Sequence, residues 1–283
     1  MTKVAQMSAR RLVWMALVIS AAGVALGGMP VAPPDTGQTP PEAGPAAEET
    51  PVEDDETMPA DIPDEGEQKK SAYAQDAIVF DGRSWIEIPR LKYSGTVPLT
   101  VEAIVTPADP NADMVVFANT QLAGLTLKHR DGRWRFTYHG RKEYHSAVSP
   151  TPVVAGETVH LAGVFDGKHL TLYVDGTLCG PPVRVTPPHT ASRYPFFIGA
   201  DPHPKLRAER HFEGRIHGIR VTPKAVFDAD FPPPTSLSPT TDSIACYAPQ
   251  GVRLTKRSVR DLATGTYPGR LKNNISLLKP DPP

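Results

Sequence analysis

Residues 158–180 read TVHLAGVFDGKHLTLYVDGTLCG, and this stretch decides the fold of the 283-residue chain. Two apolar runs, Val159–Phe165 and Leu170–Val174, flank the pair Asp166-Gly167, and the pair Asp175-Gly176 follows them. Asp-Gly between alternating apolar residues is typical of a tight β-hairpin. The stretch therefore predicts consecutive antiparallel strands joined by short turns.

Segments of the same kind fill the chain between Ala77 and Val221. In Arg133–Tyr138 aromatic residues alternate with polar ones, and a period of two places the aromatic rings on one face of a strand. No segment shows a 3.6-residue apolar period over three turns, so we predict an all-β fold, a two-sheet antiparallel jelly-roll sandwich. Period two also favours core packing for both Trp85 and Trp134. The side chains expected in the core are Ile78, Phe80, Val101, Phe117, Trp134, Leu161, Val164, Leu172 and Ile216.

Motifs spread over this body resemble the laminin-G-like, or concanavalin A-like, jelly-roll domain. They include IVFDGRSWIEI at 78–88, LTVEAIVT at 99–106 and FEGRIHGIRV at 212–221, in the order of the family. The resemblance implies a carbohydrate or protein ligand. The late Asp-Glu pair of the family is His217-Gly218 here, and carboxylates are the ligands that Ca²⁺ prefers. We therefore expect no cofactor and no metal, with a structural calcium ion as the one alternative left open.

The tail carries a motif that usually precedes such a domain. Thr241–Leu271 resembles that segment, yet here it follows the last core strand and a Pro-rich hinge, Phe231–Pro239. We expect Ser243–Tyr247 to close the same sandwich as a permuted strand beside Ile216–Val221, because domain termini usually lie close together. The alternative is the start of a truncated second domain.

The N-terminal part differs from the body in composition. Residues 1–29 place Lys3, Arg10 and Arg11 before an uncharged apolar run, the layout of a cleaved signal peptide or of a signal-anchor transmembrane helix. Residues 30–70 hold nine prolines and a net charge of −10, which predicts a disordered acidic linker. We accordingly divide the chain into 1–29, 30–70, a jelly roll at 71–232, and a hinge, closing strand and tail at 233–283.

Catalytic motifs do not stand out. The body has no E-x-D-x-x-E run of the kind that glycosidases on this fold use, and it has no G-x-S-x-G, H-E-x-x-H or phosphate loop. Candidate binding residues are cations of one hairpin, Arg133, Arg135, His139 and Arg141, which would face an anionic glycan, with a plain solvated face as the alternative. Histidine would let protonation tune such a face.

The chain has two cysteines, Cys179 and Cys246. In an oxidising compartment they could form a disulfide, and otherwise they would pack as buried thiols.

The sequence thus predicts an exported binding module that is not an enzyme. We expect membrane anchoring through the N-terminal helix, or secretion as the alternative, with carbohydrate binding or cell-surface adhesion as the function. Its partners would be a glycan or a cell-surface protein, and we expect no specific nucleic acid. A structural or sensory ectodomain that contacts proteins without a glycan is the second hypothesis, and a glycoside hydrolase-like enzyme is the third.

Overall fold

The computed structural model describes residues 72–121, 123–140, 143–186, 190–205 and 207–279. Within these ranges the predicted all-β sandwich is confirmed, because the ordered elements are strands and a single short 3₁₀ turn. The expected helix at 1–29 and the linker at 30–70 lie outside the described residues. In the part of the chain that is described, no helix has the length and apolar character needed to cross a membrane.

The described residues contain twenty strands and one 3₁₀ turn. They are β1 (Ala77–Asp81), β2 (Trp85–Ile88), β3 (Leu99–Pro107), β4 (Met114–Ala118), β5 (Gly124–Arg130), β6 (Arg133–His139), β7 (Tyr144–Pro152), β8 (Val159–Phe165), β9 (His169–Val174), β10 (Thr177–Leu178), β11 (Val183–Arg184), β12 (Phe196–Ile198), β13 (Asp201–His203), β14 (Arg207–Glu209), β15 (Glu213–Thr222), β16 (Ala245–Tyr247), the 3₁₀ turn Pro249–Gly251, β17 (Val252–Arg253), β18 (Ser258–Val259), β19 (Gly269–Lys272) and β20 (Ser276–Leu278).

Two antiparallel sheets pack face to face. The back sheet has the order β10-β9-β8-β3-β15-β1-β20, with β11 also paired to β9 and β16 to β15. The front sheet has the order β17-β18-β19-β2-β12-β4-β5-β6-β7, and β13 and β14 form a separate hairpin. Alternate side chains of both sheets meet in one core, which is the arrangement expected when period-two strands bury one face.

The central strands β3 and β8 of the back sheet are buried on both faces. All seven residues of β8 are buried, which explains why its sequence is continuously apolar rather than alternating. Leu161 and Phe165 enter the core between the sheets, whereas Val164 packs with Tyr173 in a second cluster on the outer face. All nine expected core residues are buried, but Val164 is in this outer cluster.

A Pro-rich segment covers that outer face. We call residues 223–242 the strap. Phe227 and Phe231 of the strap stack at 3.7 Å between ring centroids, and both pack against Tyr173. The Phe231 N–H donates to the Gly176 carbonyl over 3.0 Å, and a Cβ at Gly176 would lie 1.8 Å from the Phe231 carbonyl oxygen. The expected hinge is therefore a bound cover, because its aromatic residues have apolar partners on the sheet.

The tail joins both sheets. β16 pairs antiparallel with β15 in the register Ile219–Tyr247 to Val221–Ala245, as the permuted-strand interpretation predicts. β19 then pairs with β2, and β20 pairs with β1. The tail residues that are described thus complete the same sandwich and do not begin a second one.

Cys179 and Cys246 are buried free thiols, which is the second of the two states that the sequence left open. The sheet order places β9, β8, β3 and β15 between β10, which precedes Cys179, and β16, which contains Cys246. One tryptophan prediction needs correction. Trp134 lies in the core as expected, with 2% of its surface exposed. Trp85 does not, since it is half-buried and stacks on Phe197 outside the front sheet.

Candidate functional site

A groove of about 520 Å³ lies on the outer face of the front sheet. Its floor comes from β5 and β6, its open side from β7, and its opposite wall from the β13–β14 hairpin and the loop after β4. The period of two creates the floor, because Leu125 and Leu127 of β5 enter the core and leave Lys128 facing out. Thr137 and His139 of β6 face the groove for the same reason.

A line of hydrogen bonds crosses the floor and wall. Thr120 Oγ1 donates to Asp201 Oδ1, and Thr126 Oγ1 donates to Thr120 over 3.2 Å. Each hydroxyl has one proton to give, so Thr126 must accept from His139 Nε2, which lies 3.4 Å away. The line fixes His139 as the neutral Nε2–H tautomer.

The ionisation of the wall and floor follows from burial. Burial raises the pKa of Asp201 to about 6, although the Thr120 hydrogen bond and the Arg210 charge oppose that rise. Burial lowers the pKa of His139 to about 3, and the nearby Lys128 and Arg210 charges lower it further. His139 is therefore uncharged at physiological pH, so it does not provide the pH-tuned cation that the sequence suggested.

The arginines of the groove already have protein carboxylates. Arg135 Nη2 lies 3.1 Å from Asp131 Oδ2, and Arg130 Nε lies 3.6 Å from the same oxygen. Arg210 contacts three carboxylates, with distances of 3.1 Å to Asp113, 3.3 Å to Asp201 and 3.1 Å to Glu209.

Lys128 differs from these arginines. Only 8% of its surface is exposed, and its ammonium group makes no hydrogen bond or ion pair with any side chain that the structure describes. Its direct cross-strand neighbour is another cation, Arg135. Burial lowers the pKa of Lys128, while the charge of Asp113 partly opposes that shift.

An aromatic side chain stands at the open side of the groove. Tyr144 is 64% exposed, the most exposed of the large apolar side chains described. Its ring meets His139 edge to face, with 4.7 Å between the ring centroids. The ring is therefore positioned by the floor and leaves its remaining surface free for a ligand.

The groove contains part of the predicted binding set. It brings together Arg135 and His139. Arg133 is turned toward β7, where its Nη1 donates to the carbonyls of Ser149 and Pro150, and Arg141 lies outside the described residues. Sequence reasoning missed Lys128, Tyr144, Asp201 and Arg210. The Asp131-Gly132 turn does put Lys128 opposite Arg135, so that pair was within reach of the sequence.

A second ionised cluster lies beneath the strap on the back sheet. Glu102 Oε2 and Oε1 accept bonds of 2.7 Å from Arg220 Nε and Nη2, and Glu102 Oε1 also accepts from His160 Nε2 at 3.3 Å. Burial acts to raise the pKa of Glu102, but the bonds from His160 and Arg220 outweigh it and hold the pKa below its usual range. Phe231 of the strap covers the imidazole edge to face, so the His160–Glu102 pair is shielded from solvent.

No group of three or more His, Cys, Asp or Glu side chains within the described ranges could hold a metal ion. The carboxylates nearest to the family's turns have structural roles instead. Asp81 accepts from the Arg83 N–H, Asp166 from the Lys168 N–H, and Asp175 from the His160 N–H. The groove is therefore a site of charged and polar side chains.

The chain matches a known family model over the body of the sandwich. A laminin G family model described as the concanavalin A-like lectin/glucanases superfamily matches residues 80–230. No curated protein sequence matches the chain. The match ends before most of the strap and before the whole tail, although both belong to the sandwich.

The solved structures to which the chain is similar are distant in sequence. A candidate carbohydrate binding protein from Bacteroides ovatus is 17% identical with a TM-score of 0.55, over 75% of this chain and 61% of that one. A heptameric SAP-like pentraxin from Limulus polyphemus is 14% identical with a TM-score of 0.48, over 72% of this chain and 94% of its own. Domains LG4-5 of the mouse laminin α1 chain are 16% identical with a TM-score of 0.41, over 59% and 48%.

Proposed function

Because this chain belongs to the concanavalin A-like lectin/glucanases superfamily, we propose that it is a non-catalytic carbohydrate-binding module. It binds its glycan in the groove on the front sheet. The apolar segment at residues 1–29 directs it to export and, when uncleaved, holds it at the membrane, with the acidic residues 30–70 as a spacer. Its working location is outside the cytoplasm.

The groove is the observation that carries this proposal. Its volume of about 520 Å³ lies within the range of small-ligand sites, roughly 300–1,000 Å³. Thr137 and Ser146 offer hydroxyls on its floor, 2.9 Å from each other, and Tyr144 offers an exposed ring beside them. Hydroxyls for hydrogen bonds and an aromatic face for the apolar side of a sugar ring are what a glycan needs.

Binding without catalysis fits the state of the acidic groups. Asp201 accepts from Thr120 through one carboxylate oxygen and contacts Arg210 through the other, and Glu209 pairs with the same Arg210 side chain. A glycosidase requires one carboxylic acid and one carboxylate that are free to face the scissile bond. Here Asp201 and Glu209 contact Arg210, and the third carboxylate of the groove, Asp131, pairs with Arg135.

A protein-contact module is the second candidate. An apolar slot of about 450 Å³ lies at one end of the sandwich, lined by Pro150, Pro152, Val153 and Leu178 among others. The exposed Val154 at its side would contact an apolar segment of a partner protein. This slot has few polar groups to orient a sugar, so it favours a peptide over a glycan.

A glycan array probed with the full-length protein tests the proposal. We expect a restricted set of glycans to bind, and Tyr144→Ala to weaken that binding at least tenfold without lowering the melting temperature. Val154→Ala is the matched control at the apolar slot and leaves glycan binding unchanged. An array on which no glycan binds the wild-type protein contradicts the function and favours the protein-contact module.

A further inference from the structure

We propose that the groove selects a sugar that carries a carboxylate, and that Lys128 is the residue that binds this carboxylate. The inference rests on the proposed function, because it specifies the ligand class of the same groove. It starts from a difference between the cations of the groove. Arg135 and Arg210 have carboxylate partners, whereas Lys128 has none among the described residues.

A lysine residue that is nearly buried and has no carboxylate partner is costly, because burial removes much of the water around its charge. Lys128 is 8% exposed, and the carboxylates of the groove are directed to other cations. Its cross-strand neighbour Arg135 carries the same charge, and like charges directly opposite on a sheet destabilise it. An anion that enters the groove would remove both penalties.

The floor around Lys128 suits an anion on a sugar better than a free polyanion. The three groove arginines, Arg130, Arg135 and Arg210, are already paired with protein carboxylates, so they offer little free positive charge to a chain of sulfates. A single carboxylate can pair with Lys128. The hydroxyls of the same sugar then have Thr137 and Ser146 as hydrogen-bond partners on the adjacent strands.

The ligand chemistry is therefore a sugar carboxylate, and two common sources exist: hexuronic acids and sialic acids. Both kinds of sugar carry the carboxylate that Lys128 would bind. The test uses both, each with a neutral counterpart that preserves its size. Trigalacturonic acid is paired with its trimethyl ester, and 3′-sialyllactose is paired with the methyl ester of its sialic acid residue.

The experiment is calorimetric titration of the full-length protein with these four probes. We expect at least one acidic probe to bind, with an affinity at least tenfold higher than that of its neutral counterpart. Lys128→Met removes this preference, because the methionine keeps the length of the side chain and loses the charge. Lys92→Met, at an exposed lysine outside the groove, leaves the preference intact.

The outcomes separate the two proposals. If neutral glycans bind in the groove as tightly as their acidic counterparts, or if Lys128→Met keeps the preference, the inference is wrong while the carbohydrate-binding function stands. If neither these probes nor any arrayed glycan binds, the function itself is wrong. Melting curves of Lys128→Met confirm that a lost preference does not arise from a lost fold.

Discussion

The outer faces of the two sheets both carry charged side chains that are shielded from water. The strap covers the charged residues of the back face, whereas the groove of the front face is open. On the back sheet Glu102 has Arg220 and His160 as partners, and the strap covers them. On the front sheet Lys128 has no such partner among the described residues, and the groove above it is open. A paired and covered charge stabilises the fold, whereas an unpaired charge beneath an opening favours a ligand.

The strap explains the difference. Its Asp230 carboxylate accepts from the Leu178 N–H at 2.8 Å, and its Ser238 carbonyl accepts from Arg220 Nη1 at 2.9 Å. These contacts bring the strap onto the face that holds Glu102. Among the residues that the structure describes, the front sheet has only the short β13–β14 hairpin at one side, so its face is open there.

Deletion of residues 241–283 should have the largest effect on stability, and it tests how far the back sheet depends on the tail. It deletes β16, β19 and β20, whose buried residues include Tyr247 and Leu271. Each large apolar side chain lost from the core removes about 1.5–3 kcal/mol, and a domain has only about 5–15 kcal/mol in total. We expect no cooperative thermal transition. A truncated protein that melts at the wild-type temperature would show that the tail is an appendage.

Glu102→Ala should give the next largest effect. It leaves the Arg220 guanidinium, which is 14% exposed, without its carboxylate, and breaking a buried pair typically destabilises by about 3–5 kcal/mol. Urea denaturation measures the change. The matched control is Glu87→Ala, which breaks the partly exposed pair with Lys272 and should lower the free energy of unfolding by at most about 1 kcal/mol. Equal losses in the two variants would refute the distinction.

Lys128→Met should change stability in the opposite direction. It removes an unpaired charge from a nearly buried position and keeps an apolar stem, so we expect a gain of about 1 kcal/mol in the free energy of unfolding without ligand. The same denaturation experiment measures it. A loss of stability would mean that the ammonium group has an internal partner and is not kept for a ligand.

Lowering the pH should modestly strengthen the binding of an acidic sugar in the front groove. The pKa of Asp201 is about 6, so lowering the pH from 7.5 to 5 protonates it and removes a negative charge, while His139 with a pKa of about 3 stays neutral. An acidic sugar should bind about fivefold more tightly at pH 5, since two charges across solvent interact by ~1 kcal/mol.

Asp201→Asn serves as the control for that effect. It should bind the acidic sugar at pH 7.5 as tightly as the wild type does at pH 5, and its affinity should not change with pH over this range. Titration calorimetry at the two pH values measures both proteins. An unaltered pH dependence in the variant would assign the titrating group elsewhere.

The sequence predicted strands well where one face is buried. The alternation of β6 indicated both its strand and the inward position of Trp134. For β8, which is covered on both faces, the sequence predicted the strand, but its apolar run does not tell which partner covers Val164. The prolines of the strap indicated irregular backbone correctly, but no local pattern shows that irregular backbone docks on a sheet.

The site was predictable only to the extent that it is local. Arg135 and His139 share one face of one strand, so spacing brought them together. Asp201 and Arg210 reach the groove from a hairpin more distant in the chain, and their position depends on the packing of that hairpin beside β4. Arg133 shares the spacing of Arg135, but a contact with β7 that spacing does not reveal turns it away.

Backbone amide chemical shifts during titration with whichever of the two acidic probes binds test the central claim most directly. The account predicts that the perturbed amides cluster on the front sheet, in residues 126–130, 135–139 and 144–146, and that those of β3, β8 and β15 do not move. Perturbations confined to the back sheet, to the strap or to the apolar slot at 150–154 would contradict it.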